Sequence, residues 1–171
     1  MENKKYNLDV SKLSKEDWSL NNCKERSIYI LTNYSKTEKQ LRDKLKQSGK
    51  YTPEIIDKTI AFLKEHNFLN DKDFANRFIE LHKNAYSKKV IRQKLLIKGI
   101  KREILDEVFA DNEENIDETQ VIKRLLLKKC PDYYENKDNM DIKAKQKIYS
   151  FLMRKGFSYN MVSSVMKVEN N

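Results

Sequence analysis

Glycine and proline are scarce in this chain, with 3 Gly and 2 Pro among 171 residues. Sandwiches, barrels and glycine-cradled nucleotide folds need many tight turns, so the shortage excludes them. Cysteine is scarce too. Cys23 and Cys130 are too few and too far apart to form a bridge framework or a zinc site, and they read as reduced structural thiols. No run approaches the roughly 20 apolar residues that a membrane span requires. The amino terminus, MENKKYNLDV, lacks the apolar centre of a signal peptide. These absences lead to the expectation of a cytoplasmic protein with no membrane association. No Ser, His and Asp constellation, phosphate loop or metal-ligand spacing occurs, so neither an enzyme nor a cofactor or metal site is expected. What is abundant is charge: 36% of residues are charged against 39% hydrophobic. That balance suits amphipathic helices with solvated outer faces, and the expected class is all-α.

The three glycines fall at Gly49, Gly99 and Gly156, a spacing of 50 and then 57 residues that points to an internal repeat. Eight and four residues before each lie apolar pairs: Leu41 and Leu45, Ile91 and Leu95, Ile148 and Leu152. This i, i+4 spacing marks one face of a helix, and glycine is the usual left-handed cap at its end. An apolar residue returns beyond each glycine, and a second helix follows, introduced in the first repeat by Thr52 and Pro53. A third helical pattern precedes each glycine helix, over about residues 17–33, 71–85 and 117–130. Further start signals are a capping box of Ser35 with Glu38, Ser87 before the middle glycine helix, and Asn70 or Asp71 before FANRFIELH. PDYYENKDN, residues 131–139, reads as a loop that accounts for the longer second spacing. The expected plan is an arm over 1–16 and three tandem three-helix repeats, 17–69, 70–112 and 113–171, forming an elongated, curved array.

The formal charge is +9 and unevenly placed. Residues 35–49 carry net +3, 87–99 carry +5 and 142–156 carry +5, leaving the rest of the chain at −4. The basicity is therefore concentrated in the glycine-terminated helices, where a polyanionic partner would meet it as a stripe. A helical wheel puts Lys39, Arg42 and Lys46 on one flank of the first, and Lys89 and Arg92 on the matching flank of the second. Gln146, Tyr149 and Met153 hold those places in the third, where charge moves to Lys143, Lys147 and Arg154. With Lys36, Lys88 and Lys94 these are the candidate contact residues. Lys98 and Lys155 precede glycine caps, where a cation also suits the helix C-terminus. Phe74, Ala75 and Phe78 read as core, Asp71 and Asp73 as helix-start carboxylates, Trp18 as an anchor of the first helix, and Tyr34 and Tyr86 as staples at helix entry.

The stretch FLKEHNFLNDKDFANRFIELHKNAYSKKVIRQKLLIKGI resembles the RecX family, in which a G-L-L-D-D turn leads into F-A and then a basic helix of the R-I-R-Q-x-L-x-x-K-G type. Residues 22–110 carry the resemblance, and 115–168 carry it through the repeat. Asn67 stands where the family has Gly, and Asn70 replaces the first Asp; asparagine tolerates the left-handed conformation such a turn needs. The resemblance implies a regulator whose partner is the RecA filament, recombinase plus single-stranded DNA, and a monomer is expected. It further implies damped filament assembly, ATPase, strand exchange and coprotease activity. Weak direct DNA binding is a further expectation, and the alternative reading is a DNA-binding module of helix-turn-helix type.

Overall fold

The computed structural model describes residues 14–167. Among them the regular structure is entirely helical: α1 (Lys15–Asn33), α2 (Glu38–Gln47), α3 (Pro53–Glu65), α4 (Asp71–His82), α5 (Lys88–Ile97), α6 (Arg102–Asp111), α7 (Glu118–Lys129), α8 (Tyr133–Asn136), α9 (Ile142–Arg154) and α10 (Tyr159–Lys167). Helices α1–α3, α4–α6 and α7–α10 are the three repeats, the last holding the extra short α8. Most of the expected arm lies outside the described residues. Its last two positions, Lys15 and Glu16, belong to α1, whose first turn is capped by the Ser14 hydroxyl accepting from the Asp17 N–H.

The glycines do what their spacing implies. Gly49, Gly99 and Gly156 have φ of 64°, 90° and 94° at the ends of α2, α5 and α9. At α5 the motif is complete: the Gly99 N–H donates to the Leu96 carbonyl and the Ile100 N–H to that of Leu95, with Leu95 and Ile100 both buried. Asn67, at φ 56°, ends α3 the same way, with the Phe68 N–H donating to the Leu63 carbonyl. It fills the role of the glycine it replaces.

By compactness the chain divides into two units, one ending at Phe74 and the other starting at Ala75. In the first, α1 and α2 pack on α3 around Cys23, Leu41, Leu45, Ile56, Ile60 and Leu63. In the second, Ile79, Ile91, Leu95 and Leu105 are fully buried in the middle repeat, and Ile122, Leu126, Leu152 and Val162 in the last. Cys23 and Cys130 are free thiols, and burial pushes the Cys23 thiol up. No helix among the described residues is long and apolar enough to cross a membrane.

Four local expectations are corrected. The capping box of α2 is Thr37 with Gln40, each side chain serving the other's backbone N–H, and Ser35 lies two residues short of it. Tyr34 accordingly sits at the end of α1, exposed, and staples nothing. Trp18 is 54% exposed: five residues before Cys23, it lies about 140° round the helix from the buried face. Residues 131–139 are more than a loop, because α8 forms there and Tyr133 is buried in the third core, its hydroxyl donating to the Met166 carbonyl. That burial pushes the Tyr133 phenol up to about 12.

Candidate binding surface

The first two basic helices, α2 and α5, each receive at their start an acid from the helix that follows their own repeat in the chain. The Glu38 N–H of α2 donates to Asp71 Oδ1 at 2.8 Å, and the Lys88 N–H of α5 donates to Glu118 Oε1 at 2.8 Å. An N-terminal N–H has no intrahelical acceptor, and a carboxylate there is also favoured by the helix dipole. Asp71 therefore serves α2, and α4 is capped by Asn70, whose Oδ1 accepts from the Lys72 and Asp73 N–H groups. Ser87 caps α5 through the Val90 N–H, and its own N–H donates to the Lys155 carbonyl at 3.0 Å. Among the described residues no group of three or more His, Cys, Asp or Glu could hold a metal ion.

The arginines of the stripe are tied down. Arg42 Nε donates to Glu38 Oε1 at 2.8 Å and its NH1 group pairs with Asp57 on α3. Arg92 pairs with Asp106 on α6 and lies 5.7 Å from the Phe109 ring centroid. Both bonds join the second helix of a repeat to its third, at equivalent places. In the last repeat Tyr149 takes the arginine's position and stacks on Tyr159, centroids 5.2 Å apart. Sequence reading named the arginines as contacts and missed Asp57 and Asp106, which stand eight residues beyond Gly49 and seven beyond Gly99, equivalent places once the extra Lys50 of the first repeat is allowed for.

Most of the lysines are differently placed. Lys39, Lys46, Lys89, Lys143, Lys147 and Arg154 are exposed, Lys39 only loosely paired with Asp43 one turn on. Lys36 is half-buried. Lys88 is half-buried, with Nζ 3.3 Å from the Glu113 carbonyl. Lys94 is half-buried over the Tyr86 ring. Of the predicted core residues, Phe74 and Ala75 are buried, while Phe78 is half-buried and stacked on His82.

Glu38 ties the first repeat together, since its carboxylate also receives Lys64. Burial acts to raise this carboxyl, but the hydrogen bonds and charges of Lys64 and Arg42 outweigh it and hold it below the ordinary value. A depressed folded value gives stability that is present above the ordinary carboxylate range and lost as pH falls through the folded value. Urea titrations between about pH 6 and pH 3 should show a smaller acid loss in Glu38→Gln than in the unaltered chain. Identical losses would remove Glu38 from the account.

Models of the first and third three-helix domains of RecX match residues 23–63 and 116–166. The regulatory protein RecX of Clostridium botulinum, strain Eklund 17B, is 37% identical over 146 residues, 85% of this chain and 67% of the relative. That of Clostridium beijerinckii is 34% identical over 165 residues, 96% and 76% of the two chains. The crystal structure of RecX from Lactobacillus salivarius has the same fold, with a TM-score of 0.70 at 22% identity over 87% of this chain and 95% of that one.

Proposed function

The chain belongs to the RecX family of regulatory proteins, and from that membership we propose that it binds the RecA recombinase on single-stranded DNA and limits filament assembly. ATP hydrolysis, strand exchange and coprotease activity fall because they depend on the filament. The protein acts as a cytoplasmic monomer without catalysis of its own, through three modules at 17–69, 70–112 and 113–171. One observation supports the location of the contact. On α2 and α5 the arginines are spent on pairs within their repeats, whereas Lys46 and Lys89 project with no acid partner among the described residues. Exposed lysines without counter-charge attract an acidic protein surface or DNA phosphate, and both line a recombinase filament.

Co-sedimentation with preformed RecA filaments, run beside single-stranded DNA alone, tests the proposal. The chain should pellet with the filament and lower DNA-dependent ATP hydrolysis at or below stoichiometric amounts. Undiminished RecA activity in a saturating excess of the chain would sink the proposal.

A further inference from the structure

Within the unit that starts at Ala75, aromatic rings and lysines alternate in a continuous cluster. Phe78, His82 and Tyr86 follow one another at four-residue intervals, with centroids 3.9 Å and then 6.1 Å apart. The Tyr86 ring lies under two ammonium groups, Lys94 of α5 at 4.9 Å and Lys155 beyond α9 at 4.5 Å. Lys155 also faces Phe151 at 5.8 Å, and Lys129 at the end of α7 lies 5.0 Å from the same ring. Three lysines from three separate segments thus converge on two half-buried rings. None of the three has a carboxylate partner among the described residues.

This differs from the ion-paired arginines in a way that matters. Like charges drawn together without counter-ions repel, so the cluster gains from any polyanion that enters it. The ring faces decide which one. An acidic peptide satisfies ammonium groups but leaves the rings unused, and a duplex keeps its base faces stacked inside. A single strand offers both phosphates and open bases, and stacking on an aromatic ring outweighs the exposed cation–π contact it replaces. Lysine stems are long enough for the ammonium to leave the ring for a neighbouring phosphate. We propose that this cluster is a site for single-stranded nucleic acid, with bases stacking on Tyr86 and Phe151 and phosphates taken by Lys94, Lys129 and Lys155. It is separate from the Lys89 flank, since Lys94 lies about 140° round α5 from Lys89. It is tested without recombinase, so its failure would leave the recombinase reading untouched.

The test is fluorescence anisotropy of the full chain with a labelled thymidine oligonucleotide of about 15 nucleotides and an abasic strand of equal phosphate number. The thymidine strand should bind roughly tenfold tighter or more, and Tyr86→Leu should remove about tenfold of that affinity while Tyr86→Phe, which keeps the ring, retains it. Lys155→Gln should reduce the slope of log affinity against log salt by about 0.7. Equal affinity for the two strands would overturn the site, as would full binding by a folded Tyr86→Leu chain. Displacement of the thymidine strand by polyglutamate at the same charge concentration as by the abasic strand would assign the cluster to an acidic protein instead.

Discussion

Replacing Gly156 with alanine should destabilise the second unit by about 3 kcal/mol or more. Two costs add at this position. With φ at 94°, any side chain is strained, at roughly 1–2 kcal/mol for a left-handed residue. The new methyl would also stand 2.3 Å from Ser87 Oγ and 2.3 Å from Val90 Cγ2. Neither neighbour is a free surface group: Ser87 is buried, its hydroxyl caps α5 and its N–H holds the Lys155 carbonyl. Moving it costs a cap as well as space, and overpacking alone is typically about 1–3 kcal/mol. Gly49→Ala isolates the first cost, because φ is 64° but nothing lies within 4 Å of the added methyl. Urea unfolding followed by circular dichroism should therefore rank Gly156→Ala well below Gly49→Ala. Val90→Ala added to Gly156→Ala should recover part of the loss by opening space. Equal losses at the two glycines would show that α9 does not seat on the start of α5.

That contrast also marks how far the sequence could be read. The three glycines, the apolar pairs before them and the Thr52–Pro53 start were legible because they are local and periodic: one residue type fits each place. All three proved to have positive φ, and Asn67 proved an adequate stand-in. What was illegible depended on partners brought from elsewhere in the chain. Arg42 and Arg92 looked like free cations on a wheel, which displays a helix alone and cannot show Asp57 or Asp106 arriving from the next one. Asp71 looked like the start of its own helix, yet its carboxylate serves the start of another, 33 residues earlier. Lys155 looked like dipole compensation at a helix end and sits over two rings besides. The α8 segment was hidden for a related reason: polar neighbours announce a loop, while the single buried Tyr133 that draws it onto the third core has no periodicity to reveal it.

The division of labour between lysine and arginine on α2 and α5 leads to the second large effect expected. Lys39 and Lys89 occupy the same place, ten residues before Gly49 and Gly99, and each lies in the first turn of its helix. A carboxylate at a helix start is favoured by the dipole, by about 0.3–1 kcal/mol, which offsets the lost Lys39–Asp43 pair and the like-charge contact that replaces it, so reversing both charges should leave stability about unchanged. The same double change, Lys39→Glu with Lys89→Glu, should weaken inhibition of RecA ATP hydrolysis at least tenfold, about 1.4 kcal/mol of lost partner binding. Arg42→Gln with Arg92→Gln should behave in the opposite sense. Each loss breaks a bond between the second and third helices of its repeat, and Arg42 is half-buried between two acids, so roughly 1 kcal/mol per site should go from stability. Once the arginine variant is kept folded by lower temperature, its inhibition should persist. A lysine variant that melts like the parent and still inhibits fully would move the contact off this flank. An arginine variant that melts like the parent but fails to inhibit would assign the contact to the guanidinium groups, and their ion pairs would then be exchanged for partner acids on binding.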